Sequence, residues 1–160
     1  MKCQWLSISG ITLLLFLSNC TYHDMVPGEK MPGSSIDYMM FGHTAGFCME
    51  CDAVYKIFDG KLYGASHQMI GDPDATSLTQ LPISSYNLVS SLITQIPRRI
   101  VTGSPTSTNT IGTYFPDAGH YYIEVSQNRK VYRWYIEPGN LPNDLQDFIS
   151  AVQEALGKLN

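Results

Sequence analysis

The sequence predicts an α+β fold, a two-layer sandwich in which an antiparallel sheet of about four to five strands is covered on one face by two helices. Three observations predict it. Residues 53–65 and 121–136 each hold two β-rich runs that fold back through a short turn. Each pair is followed by a segment whose apolar residues recur at helical spacing, within 84–96 and 142–159. The order is therefore ββα stated twice, with one strand in front. Each hairpin has one apolar face and each helix one apolar stripe, and stacking them buries both.

Taken in order, residues 36–41 (Ile-Asp-Tyr-Met-Met-Phe) read as a strand, and Gly42 to Cys51 reads as a loop. Residues 53–58 and 61–65 flank Asp59-Gly60, a two-residue hairpin turn in which both central residues take positive φ. That turn sets Phe58 opposite Lys61, Ile57 opposite Leu62 and Lys56 opposite Tyr63, with Tyr55, Ile57 and Leu62 on one face. A polar stretch follows from Gly71 to Gln80. Ser84 or Ser85 then caps a helix with Leu88, Leu92 and Ile96 on one side, Val89 and Ile93 adjoining, and Pro97 at its end. Residues 102–119, rich in Gly, Ser, Thr, Asn and Pro, read as a long loop. In the second hairpin, pairing Ile123 with Trp134 across a turn near Asn128-Arg129 gathers Tyr121, Ile123, Val125, Tyr132, Trp134 and Ile136 on one face. The same register sets Glu124 against Arg133 on the other, a favourable cross-strand pair. A one-residue slip scatters this pattern. The last helix starts near Pro142 and carries Leu145, Phe148, Val152, Leu156 and Leu159 on one stripe with Ile149 beside it. Asp144 and Asp147 sit in its first turns and Lys158 near its end, as the helix dipole favours. The sheet face away from the helices is expected to be partly aromatic and solvated.

The first nineteen residues have the layout of a secretory signal. Lys2 supplies the positive start, and the apolar run 11–17 is shorter than the roughly 20 residues that span a bilayer. Leu17-Ser18-Asn19-Cys20 then resembles the lipobox of bacterial lipoproteins: Leu at −3, a small residue at −2, Cys at +1. Asn19 stands where that family has Gly or Ala. The resemblance implies cleavage before Cys20, diacylglycerol on its thiol and fatty acyl groups such as palmitate on the new amino end. Thr21, where an inner-membrane retention signal would have Asp, implies the outer membrane. Two or three acyl chains hold a protein stably, at ~0.8 kcal/mol per buried CH₂. Residues 1–19 are thus the expected signal, 20–35 the lipidated Cys and a tether, and 36–160 one globular domain. Fully extended, residues 21–35 reach at most ~50 Å. No second apolar run of spanning length follows, so the expectation is a domain anchored to a membrane without crossing it.

Ten basic and fourteen acidic residues give a net charge of −4, which becomes −5 when Lys2 leaves with the signal. The basic pairs Arg98-Arg99 and Arg129-Lys130 sit beside turns. Nucleic-acid binding rests on clustered basic charge, so that class is disfavoured. The chain as a whole resembles families of secreted bacterial lipoproteins that carry no established activity. The residues behind this are the lipobox ending in Cys20, Gly46-Phe47-Cys48 leading through Cys51 into Tyr55-Lys56-Ile57, Gly60-Lys61-Leu62-Tyr63, the stretch from Pro116 to Tyr122, and Leu141-Pro142.

Three constellations are candidates for chemistry. Cys48-Met49-Glu50-Cys51 has three readings: a redox pair, which needs its first Cys at a helix N-terminus; a metal site, which needs about four ligands and would have to recruit His43, His67 or His120; and a local disulfide or two packed thiols in an oxidising compartment. A strand, not a helix, follows the pair, so the structural reading leads. Asp117 and His120 could form an acid/base pair, but Pro116, Asp117 and Gly119 are also turn formers, and the chain holds no G-x-S-x-G elbow. Asp72 and Asp74 are too sparse for a calcium loop. Tyr122 and Tyr135, with Glu124 and Arg133, form a candidate binding surface on the outer sheet face. The expectation is a non-enzymatic, membrane-tethered binding or structural domain without a cofactor, whose partners are the membrane and another envelope protein or a glycan. The alternative is a thiol-redox or metal-dependent protein using Cys48 and Cys51.

Overall fold

The computed structural model describes residues 36–45, 48–66, 78–112 and 119–159. Seven strands form one sheet. They are β1 (Ile36–Ala45), β2 (Cys48–Phe58), β3 (Lys61–Ser66), β4 (Thr79–Gln80), β5 (Thr108–Ile111), β6 (His120–Gln127) and β7 (Lys130–Ile136). Among the described residues three α-helical segments accompany them: α1 (Ile83–Val89), α2 (Leu92–Gln95) and α3 (Asn143–Leu159). The spatial order is β4-β3-β2-β1-β6-β7-β5.

The two expected hairpins form in the expected registers. Asp59 and Gly60 have φ of 49° and 68°, the doubly left-handed turn that matches strand twist. Ile57 faces Leu62 and Phe58 faces Lys61. In the second hairpin Ile123 faces Trp134 and Glu124 faces Arg133, across Asn128 (φ 53°) and Arg129 (φ 62°). Arginine is a poor occupant of that second position, where a Cβ costs roughly 1–2 kcal/mol. Glycine would remove that cost but gain about 0.4–1 kcal/mol of unfolded-state entropy. Arg129→Gly is therefore expected to stabilise the domain by about 0.5–1 kcal/mol. Its backbone N–H, which donates to Asp37 Oδ2 at 3.1 Å, is retained. A urea midpoint at or below the parent value would contradict this.

The sheet is larger than four to five strands, mixed rather than antiparallel, and not a plain ββα repeat. β1 lies between the hairpins. It pairs antiparallel with β2 (Phe41 with Tyr55) and with β6 (Phe41 with Ile123), joining both hairpins into one sheet. Because ladders on both sides satisfy its backbone, β1 continues past Phe41 to Ala45, which pairs with Cys48. The expected loop from Gly42 to Cys51 is thus largely strand. The long loop expected over 102–119 contains β5, which runs parallel to β7 with Ile111 beside Ile136. The run Thr-Asn-Thr-Ile is too short and polar to show a period. β4 is two residues long and caps the other edge beside Tyr63 and Gly64.

The first helix also departs from its expected form. It starts after Pro82 with no side-chain cap, and it breaks at Ser90-Ser91 into α1 and α2. Val89, Leu92 and Ile96 face inward, whereas Leu88, expected on the stripe, is exposed. Ile96 takes ψ 118°, as the residue before a proline must, and Pro97 ends the segment. A 3₁₀ turn over Arg98–Val101 then buries Ile100 and Val101. α3 follows its predicted stripe: Leu145, Phe148, Ile149, Val152 and Leu156 are buried, with Asp144 in the first turn and Lys158 in the last.

These helical residues share one core with Met39, Phe41, Ile57, Leu62, Ile123, Val125, Trp134 and Ile136. All come from one face of the sheet, so the helices cover that face. Each such side chain contributes about 1.5–3 kcal/mol on full burial. Among the described residues no helix is long and apolar enough to cross a membrane.

Candidate functional site

Strand alternation sends every second residue to the opposite face of the sheet. The ladders line those residues up in rows, three of which carry the candidate site. The middle row runs Tyr63, Lys56, Met40, Glu124, Arg133 across β3, β2, β1, β6 and β7. One neighbouring row is Lys61, Phe58, Tyr38, Ser126, and the other is Val54, Gly42, Tyr122, Tyr135. Met40, Val54 and Tyr122 form a second small apolar cluster there, with Tyr38 and Tyr135 packed on it.

Glu124 lies at the centre and is 1% exposed. Its Oε1 accepts from the Tyr38 hydroxyl at 2.6 Å. Its Oε2 accepts from the Tyr122 hydroxyl at 2.6 Å and from Arg133 Nε at 2.7 Å. The sequence pairing of Glu124 with Arg133 is therefore an ion pair in space. Burial raises the Tyr122 phenol far above its ordinary range, and the adjoining Glu124 raises it further. Tyr122 is thus held as a neutral donor. Burial alone would lower the Arg133 guanidinium, but the charge of Glu124 and its hydrogen bond outweigh that and raise it.

The surroundings differ from the solvated face the sequence suggests. Tyr122 is 4% exposed, because Met40, Val54, Tyr38 and Tyr135 close around it. The rings of Tyr122 and Tyr135 lie 5.6 Å apart. On this face exposure lies around the centre and not at it. The Arg133 side chain is 41% exposed, and Phe58 is 45% exposed at the hairpin end. Lys56 Nζ sits 4.2 Å from the centre of the Tyr38 ring and 5.6 Å from that of Phe58, a cation over two aromatic faces. Lys56 pairs with no carboxylate among the described residues.

A general base must reach a substrate proton, whereas both oxygens of Glu124 are engaged beneath the surface. Tyr38 and Lys56 complete the cluster and are not singled out by the sequence. Their place depends on the pairing of β1 with β6, which no local pattern announces. No protein-family model matches the chain, and no curated protein matches it.

Among the described residues, the other sequence candidates are not brought together into a site. Cys48 and Cys51 both lie in β2, within the stretch where the β1–β2 register shifts between the Ala45–Cys48 and His43–Ala53 pairs. His43 lies on the core face, its ring 5.1 Å from that of Tyr121. His120 shares the parity of Tyr122 and Glu124 on the other face and is 1% exposed. The two histidines thus stand on opposite sides of the sheet, and among the described residues no group of His, Cys, Asp and Glu is placed to hold a metal ion. His67, Asp72, Asp74, Asp117, the signal, Cys20 and the tether lie outside the described residues.

Proposed function

We propose that this chain is a lipid-tethered extracytoplasmic domain, held at the bacterial outer membrane through Cys20, with a non-enzymatic binding or structural role. The tether rests on Leu17-Ser18-Asn19-Cys20 behind a short apolar run. The non-catalytic role rests on one observation: among the described residues, the acid at the centre of the outer sheet face is spent on Tyr38, Tyr122 and Arg133. Around that centre, cations and aromatic rings are exposed to a partner. The thiol-redox alternative needs Cys48 at the start of a helix, and the backbone there is β2.

Cys20→Ala is the test of the tether. In cells fed an alkyne fatty acid, the parent chain is expected to carry the label and to sediment with outer membranes. The Cys20→Ala chain is expected to carry none and to leave the membrane fraction. Label retained by that variant would overturn the anchor.

A further inference from the structure

We propose that α1 docks on the lipid bilayer that holds Cys20, laying Ile83 and Leu88 into the boundary between headgroups and acyl chains. The inference rests on the tether reading and adds which surface of the domain faces the membrane. It begins from a stretch without charge. Residues 75–97 contain no Asp, Glu, Lys, Arg or His, although 15% of the chain is charged. Within that stretch Ile83, Ser84, Asn87, Leu88 and Ser91 recur at helical spacing and are all exposed, so they form the outer side of α1. Ile83 and Leu88 are 66% and 48% exposed, two of the three large hydrophobic residues that stand in the open among the described residues. The outer side of α3 is that of an ordinary solvated helix, with Asp147, Glu154 and Lys158 exposed and no large hydrophobic residue among them. An uncharged exposed helix face that carries Ile and Leu suits an apolar surface.

The fold places this stripe beside the tether, which decides what covers it. β1 begins at Ile36, which pairs with Gln127 next to the Asn128-Arg129 turn, and Tyr38 pairs with Phe58 next to the Asp59-Gly60 turn. The Leu81 N–H donates to the Leu62 carbonyl at 2.8 Å, beside that second turn, and α1 starts two residues later. The chain thus enters the sheet and enters α1 at the same end of the molecule. β1 and β4 are three strand spacings apart, roughly 14 Å, whereas residues 21–35 reach up to ~50 Å. A domain anchored through Cys20 stays within that distance of the bilayer, so a surface too weak to bind from solution docks through its high effective concentration. A second protein is the poorer occupant. α1 has seven residues, and its length of about 10 Å falls well short of the ~800 Å² that each partner gives to a standard interface.

The lipidated full chain is reconstituted into phosphatidylcholine vesicles whose acyl chains carry bromine, and tryptophan emission is read in Leu88→Trp and in Thr110→Trp. Thr110 is exposed in β5 and, paired with Tyr135, lies on the sheet face away from the helices. Trp134, buried in the core, is the common background. Bromine is expected to quench the Leu88→Trp emission and to leave that of Thr110→Trp unchanged. Because the stripe is uncharged, the quenching is expected to persist at high salt. Adding Ile83→Asp at its exposed position is expected to abolish it, since a carboxylate is costly among acyl chains. Far-UV circular dichroism checks that each variant folds. Flotation of the parent chain with the vesicles, lost in Cys20→Ala, reads the tether separately. A parent chain that does not float would overturn the tether and this proposal together. A floating chain in which Leu88→Trp is quenched no more than Thr110→Trp, or is quenched regardless of Ile83→Asp or only at low salt, would overturn the docking alone. Blue-shifted Leu88→Trp emission without quenching would mean that protein, a second copy, covers the stripe, and would overturn it as well.

Discussion

Glu124→Ala is expected to destabilise the domain by about 2–4 kcal/mol, read as a lower urea midpoint with an unchanged slope. The substitution removes the acceptor for three donors at once. The Tyr122 hydroxyl is the costliest of them, because the residue is 4% exposed and a buried unsatisfied donor costs about 1–3 kcal/mol. Arg133 costs less than a fully buried partner would, since its side chain is 41% exposed and can turn to water. Breaking a fully buried pair costs about 3–5 kcal/mol, which bounds the effect from above. Glu124→Gln keeps the volume but puts an amide N–H₂ against donors on one side, so it is expected to fall between parent and Ala. Replacing Glu124 and Arg133 together with leucine is expected to cost less than Glu124→Ala alone, because no charge is then left without its partner. A loss below about 1 kcal/mol for Glu124→Ala would mean that the cluster contributes no more than an ordinary hydrogen bond.

This acid also marks the boundary of what the sequence discloses. Its pairing with Arg133 is legible, because a two-residue turn fixes register and the apolar alternation of residues 121–136 tolerates no slip. The Asp59-Gly60 hairpin and the stripe of α3 are legible for the same reason: each is a local pattern whose period equals that of the structure. Tyr38 and Lys56 are not, because Tyr38 reaches Glu124 from β1, where it pairs with Ser126 far along the chain, and Lys56 joins the cluster only by lying over the Tyr38 ring. The burial of Tyr122 and Glu124 follows from the same long-range pairing, which packs Met40 and Tyr38 around them. Elsewhere local signals misdirect. Leu88 fits an unbroken helix, but the break at Ser90-Ser91 turns it outward. The residues from Gly42 to Ala45 carry loop composition, yet ladder partners hold their backbone extended. Site residues follow the same rule: Tyr122, Glu124, Arg133 and Tyr135 share one hairpin whose register is legible, whereas Tyr38 stands on β1.

Trp134→Ala is expected to cost about 3–5 kcal/mol, the range for emptying a large aromatic site. Trp134 does more than fill volume. Its indole N–H donates to the Ile100 carbonyl at 2.9 Å, in the buried 3₁₀ turn. Its ring lies so close to Gly103 that a Cβ there would stand 2.5 Å from Cζ2. The same point is 3.0 Å from Asn109 Nδ2. Asn109 in turn donates to Ser104 O at 3.0 Å and Arg133 O at 3.1 Å, and accepts from Ser104 N at 3.0 Å. One indole therefore seats the turn before β5 on the sheet, and β5 is the parallel edge strand that no hairpin turn holds in register. Trp134→Phe keeps an aromatic ring but leaves the Ile100 carbonyl buried without its donor, so about 1–3 kcal/mol is expected. Its effect should also be uneven. Amide exchange at Thr108–Ile111 is expected to accelerate more than in the Asp59-Gly60 hairpin, whose register has its own turn. Circular dichroism serves for the stability measurement, since the substitution removes the chromophore in the core. Equal acceleration across both regions would mean that β5 opens only with the whole domain, and that the indole stabilises the fold without specifying where its last strand docks.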